Sequence, residues 1–190
     1  MRIPMRHLFK IATTILLTST STVACSQEEL TAIDAPENKV QTDNLCNFNE
    51  ESIFTCLTDK KTASLCLRRH EGNVHIKYKY GTSRKIELSY PETEEGSTEK
   101  FKLSTTPYPG GGENRIRFTI GKHNYYLYDV TKTESDESGQ YPEFKSGLFV
   151  LKNNAKVFSQ PCRNDAGITA PAFEILKEED FKHDLGISYE

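Results

Sequence analysis

The seven residues Val74-His75-Ile76-Lys77-Tyr78-Lys79-Tyr80 decide the fold class. Apolar side chains stand at 74, 76, 78 and 80, with His or Lys between them, a period of two that sends one set to each face of a β-strand. Ile116, Phe118 and Ile120 repeat the pattern against Arg115, Arg117 and Thr119. On either side of these runs the chain keeps returning to short stretches of Phe, Tyr, Val, Ile and Thr broken by polar or Gly-bearing turns. This predicts strands at 53–57, 64–69, 74–80, 85–90, 101–104, 115–120, 124–130, 147–151 and 156–159. Most connections have hairpin length, so the sheet is antiparallel, and its edges have to be hidden. The expected fold is all-β, a small antiparallel barrel or two-sheet sandwich. Phe173, Leu176 and Phe181 among Glu and Lys predict a short C-terminal helix.

The chain has 190 residues, enough for one domain, and its hydrophobic share of 36% includes nine Tyr. Arg2, Arg6 and Lys10, then the apolar Ile11 to Leu17, then small residues to Ala24 read as an export signal over 1–24. The apolar stretch is too short for a permanent membrane span. Thr22-Val23-Ala24-Cys25 resembles a lipoprotein processing box, which makes Cys25 the expected lipid attachment site, although a Leu is usual where Thr22 stands. Residues 25–45 are polar and aperiodic, a flexible tether, and 46–190 form the β domain with its C-terminal tail. The signal takes three bases and no acids with it, so 21 bases face 27 acids in the exported chain, a formal charge of −6.

Five cysteines are an odd number, and lipidation of Cys25 would leave Cys46, Cys56, Cys66 and Cys162 as an even set in an oxidising compartment. Four cysteines allow three connectivities. The segment from Phe54 to Leu67 (FTCLTDKKTASLCL) reads as a hairpin turning at 59–62, which favours Cys56 with Cys66 and leaves Cys46 with Cys162. No Cys-x-x-Cys pair points to redox or metal chemistry.

Tests for catalysis fail one by one. His70-Glu71 and His75 are five residues apart and flank Gly72-Asn73, where a zinc-protease helix cannot form. No nucleophile elbow or phosphate-binding loop occurs. Glu87, Glu92 and Glu113 could act as an acid pair only if the fold brought them together. Tyr125, Tyr126 and Tyr128 read as packing residues. Lys77, Lys79, Arg84 and Lys85 read as a solvated sheet face, and with net negative charge the chain is not expected to bind nucleic acid. No metal or cofactor is expected, and the protein is not expected to be an enzyme.

Two features remain for binding. Gly110-Gly111-Gly112 makes a turn that allows close backbone approach. Residues 131–146 form a long loop carrying Glu134, Asp136, Glu137 and Glu143 with Tyr141; they lack the alternating ligand register of a calcium loop. Gly111, Glu134, Asp136, Glu137 and Tyr141 are therefore the expected partner contacts. The partner would be a basic protein of the cell envelope, with the protein itself periplasmic and tethered to the outer membrane through Cys25.

CNFNEESIFTC (46–56), TASLC (62–66), HIKYKYGTSRKIELSYPE (75–92), GGGENRIRFTIGKHNYYLYD (110–129) and the closing SQPC (159–162) resemble a family of small exported Gram-negative proteins of uncharacterised function. The resemblance covers 46–162, implies one compact β domain and supplies no activity. The stretch 131–146 departs from it as an insertion. In layout alone the chain is similar to the membrane-bound inhibitors of c-type lysozyme, small exported β-barrels that are often lipoproteins. Their Ser-Gly-containing inhibitory motif is not present here, and Gly110 to Asn114 (GGGEN) is a positional counterpart. That likeness implies an inhibitor or immunity protein acting on a peptidoglycan hydrolase; the alternative is a structural envelope lipoprotein.

Overall fold

A computed structural model describes residues 43–182. The export signal 1–24, Cys25 and the tether as far as residue 42 lie outside the described residues. Four strands, β1 (Glu51–Leu57), β2 (Thr62–His70), β3 (Asn73–Thr82) and β4 (Lys85–Tyr90), make an antiparallel sheet in chain order. The second sheet contains β5 (Phe101–Tyr108), β6 (Gly111–Ile120), β7 (His123–Asp136), β8 (Gly139–Lys152) and β9 (Ala155–Pro161), also in chain order. After the short helix α1 (Ala170–Ile175), β10 (Lys177–Glu178) joins its β5 edge in parallel. The protein is a two-sheet sandwich, and every predicted strand is present.

Tight turns explain the meander. The β2–β3 turn has positive φ at Glu71 (49°) and Gly72 (78°), the geometry of a two-residue hairpin. Between β1 and β2, Thr58 and Lys61 close the turn by mutual hydrogen bonds, Thr58 N to Lys61 O at 2.8 Å and Lys61 N to Thr58 Oγ1 at 3.1 Å. Alternation then fills the core from both sheets: Leu65, Leu67, Ile76 and Tyr78 from one, Phe101, Leu103, Ile116, Phe118, Leu127 and Leu148 from the other. A bulge between Ser52 and Phe54 lets consecutive residues Ile53 and Phe54 both face inward. Phe118 is the hub, stacked on Tyr125 with ring centres 4.9 Å apart and on Tyr90 at 5.5 Å.

The disulfide pairing corrects the expectation. Cys46 bonds Cys66, and Cys56 bonds Cys162. The hairpin forms, but its turn at Thr58–Lys61 sets Cys56 opposite Ala63 and Cys66 opposite Ser52. Cys56 belongs to the core between the sheets with Leu65 and Leu67, whereas Cys66 alternates with those residues and so points to the outer face. Two sulfurs on opposite faces of one sheet cannot meet.

The outer face around Cys66 is also drier than expected. The segment held by Cys46 lies on it, with Leu45 N donating to Ser64 Oγ at 2.9 Å. Beneath it Lys79 is buried and its Nζ lies 2.6 Å from Glu50 Oε2. Burial pushes Glu50 up, but hydrogen bonds from Lys79 and Asn47 outweigh it and hold the carboxyl below its ordinary range. Lys79 therefore leaves the expected solvated patch, while Arg84 and Lys85 remain exposed.

Candidate functional site

The stretch 131–146 is not a loop. The β7–β8 ladder runs unbroken from His123↔Lys152 to Asp136↔Gly139, so the insertion is a two-stranded arm. Glu137 and Ser138 make its tip, where Asp136 Oδ1 accepts from Ser138 N at 2.7 Å and Ser138 Oγ at 2.6 Å. Those bonds hold the Asp136 carboxyl below its ordinary range. Gly139 takes φ +127°, which an L side chain rarely adopts.

Register sorts the side chains of the arm. The pairs Lys132↔Glu143, Glu134↔Tyr141 and Asp136↔Gly139 share one face, and Thr131↔Phe144, Thr133↔Pro142 and Ser135↔Gln140 share the other. Residues 133–142 are exposed throughout, with Tyr141 43% accessible. Both lysines of the arm lie at its base, where Lys145 Nζ sits 3.3 Å from Glu143 Oε2. The distal half holds Glu134, Asp136 and Glu137 and no base. Thus Glu134, Asp136 and Tyr141 project from one face, with Glu137 at the tip.

Gly111, the fifth expected contact, sits at the foot of the arm. Gly112 pairs with Thr131, and Thr133 Oγ1 donates to Gly110 O at 2.9 Å. A Cβ on Gly111 would stand 1.8 Å from Thr131 O, and one on Gly110 2.4 Å from Thr133 Oγ1. The close approach these glycines permit is therefore to the arm itself, which the β5–β6 turn buttresses.

The arm's acidic face continues onto the outer face of the six-stranded sheet. Tyr126, Tyr128 and Val130 follow the same alternation, and with Phe149, Leu151 and Tyr108 they form a second apolar cluster. Tyr126 stacks on Phe149 with centroids 4.6 Å apart. Next to them on β6, Arg115 is buried with its Nε on Glu113 Oε1, its Nη1 donating to Lys182 O at 2.8 Å, and its guanidinium 4.0 Å from the Phe181 ring centre. Arg117 forks onto both oxygens of Glu179 at 2.7 and 2.5 Å. Residues 179–182 thus cross this face as a strap. Burial pushes the Tyr126 and Tyr128 phenols up, and the nearby Glu113 adds to the shift at Tyr128.

The sequence pattern offers Glu113 only as a possible catalytic acid and Arg115 only as a polar-face residue, leaves Tyr108 out, and does not anticipate that this face is covered. A signal was available: Glu113, Arg115 and Arg117 alternate with the inward Ile116 and Phe118 and lie across from Tyr128 and Tyr126, a mixture that suits a covered face. On the opposite side of β7, Asp129 accepts from Ile168 N at 2.6 Å and Asn114 Nδ2 at 2.8 Å. Burial nonetheless raises its pKa.

The catalytic candidates stay apart. His70 ends β2 at the hairpin turn, and His75 places Nδ1 3.1 Å from the Glu94 carbonyl. Glu87 pairs with Lys61 on the four-stranded sheet, Glu92 is exposed beyond β4, and Glu113 lies on the outer face of the other sheet. Cys46, Glu50 and Cys66 bring ligand-type atoms within 4.8 Å of one another, but the two sulfurs are bonded together and are not thiolates.

Comparison with protein-family models, curated proteins and solved structures finds no match. The two disulfides suggest an oxidising, exported environment. Among the described residues no helix is long and apolar enough to cross a membrane.

Proposed function

We propose that the protein is an exported binding module of the cell envelope, tethered to the outer membrane by lipid on Cys25, whose acidic arm engages a basic envelope protein. The observation that carries this reading is the arm: an exposed ribbon with Glu134, Asp136 and Tyr141 on one face, Glu137 at its tip and its lysines confined to the base. A negative projection speeds encounter with a cationic partner and fixes its orientation, while an aromatic such as Tyr141 supplies contact area once docked. Cationic peptidoglycan hydrolases, including lysozymes and injected toxins, are the partner class, which makes the protein an inhibitor or immunity protein rather than an enzyme.

Calorimetric titration against a cationic c-type lysozyme, and capture from envelope extract, would compare the intact protein with the Glu134→Lys/Asp136→Lys/Glu137→Lys variant. The expected result is salt-sensitive binding that the triple reversal abolishes. If the same partners bind both forms, the arm is not the contact; if neither form binds a basic protein, the structural-lipoprotein reading takes over. Palmitate labelling that disappears in Cys25→Ser checks the tether separately.

A further inference from the structure

Among the described residues, two of the four sheet edges are covered. Along β1, Arg163 N donates to Leu57 O, Asn164 bridges Leu57 N and Thr55 O, and Thr169 N donates to Ile53 O. Along β5, β10 pairs and Glu179 N donates to Leu103 O. The other two sheet ends, β4 and β9, flank an open slot of about 290 Å³ lined by Tyr78, Tyr80, Leu88, Tyr125, Leu148, Val150 and Phe158, with His123 and Val157 at its rim. Its wall is aliphatic and aromatic, and Val157 and Phe158 remain 55% and 37% exposed. Charge at the rim has a sign. His123 faces Lys152 in the ladder, so Lys152 extends the inward row of Leu148 and Val150, and Lys122 occupies the turn just before His123. Glu87, next to the lining residue Leu88 in the β3–β4 bulge, is engaged by Lys61 at 2.5 Å.

We infer that this slot binds a single-chain anionic amphiphile, its hydrocarbon tail between the sheets and its head group at Lys152. At about 30 Å³ per water-sized group the volume has room for roughly ten methylenes, and it lies at the small end of ligand sites. A flexible aliphatic chain fits a wall whose surface is mostly apolar, and Lys152, paired across the ladder with the lining residue His123, favours a negative head.

Decanoate below its micellar concentration would be titrated into the purified protein while the methyl NMR signals of Leu88, Leu148, Val150 and Val157 are followed, with Leu151 and Val130 on the outer face as controls. The expected result is saturable shifts confined to the slot methyls. Lys152→Glu should weaken binding about fivefold, the size of one exposed charge pair, and Phe158→Asp, on an exposed edge strand, should weaken it at least tenfold. Equal binding of decyltrimethylammonium would overturn the inference, as would shifts spread over both faces or unchanged affinity in both variants. Association with phosphatidylglycerol vesicles without any response to monomeric decanoate would identify surface adsorption and would overturn it too.

Discussion

Removing the Cys56–Cys162 bridge should weaken the fold more than removing Cys46–Cys66, and the structure sets the difference. The first bridge joins residues 106 apart and the second residues 20 apart. Loop-closure entropy then assigns about 4.7 kcal/mol to the long loop and about 3.3 kcal/mol to the short one, a gap of about 1.4 kcal/mol. Burial does not separate the bridges, since each joins a fully buried cysteine, Cys56 or Cys66, to a half-buried one, Cys162 or Cys46. The assay is urea denaturation of Cys56→Ala/Cys162→Ala and Cys46→Ala/Cys66→Ala against the parent, with the m-value checking that each denatured state expands as its crosslink is lost. Equal losses, or a larger loss from the short loop, would refute the reasoning. So would a Cys56–Cys66 peptide in a non-reducing digest.

The two bridges cross in chain order, so oxidation of the reduced chain without a thiol should trap isomers such as Cys46–Cys56, and a redox buffer should convert them to one species by chromatography. Glu50→Gln should cost about 3 kcal/mol at pH 7 by leaving Lys79 buried without its partner. Because the folded Glu50 pKa lies below 4.5, its contribution is present above that value and lost as pH falls through the folded pKa. Denaturation from pH 3 to 7 should therefore show a flatter acid limb in the variant, and an unchanged limb contradicts the assignment. Gly111→Ala forces a Cβ against Thr131 O and should cost about 2 kcal/mol. Gly72→Ala meets open space and carries only the strain of its positive φ, about 1 kcal/mol, so thermal melts should rank the two in that order.

What could be read from the sequence follows from what leaves a periodic trace. Ile76, Tyr78, Ile116 and Phe118 face a core and alternate with polar residues, so their strands and the all-β class were legible. Residues 131–146 form strands with no buried face; Lys132, Glu134 and Asp136 alternate with Thr and Ser, and hydrophobic periodicity says nothing about a ribbon wet on both sides. The acids and Tyr141 were visible as residues, but the register that gathers Glu134, Asp136 and Tyr141 on one face was not. The disulfide expectation failed on parity: the turn at Thr58–Lys61 sets Cys56 opposite Ala63, and Cys66, three residues further along β2, faces the other side of the sheet; a four-residue turn at 59–62 would move each partner by two residues and leave the sulfurs on opposite faces. The covering of Lys79 depends on the Cys46–Cys66 bridge and on Glu50, nearly thirty residues away, and a local pattern carries no information at that range.

The arm divides the labour of the chain in a way that bears on how such a protein can change. Residues 133–142 are wholly exposed and contribute nothing to either apolar cluster, so substitutions there leave the sandwich untouched and fall within the small stability range of surface changes. What the arm requires is narrow: Gly139 near the tip and two glycines, Gly110 and Gly111, at the foot. Between those fixed points its charge and aromatic content can be rewritten freely. On the proposed reading, a partner whose basic surface changed would be met by a new arm on an old scaffold, with recognition drifting quickly while the fold stands still.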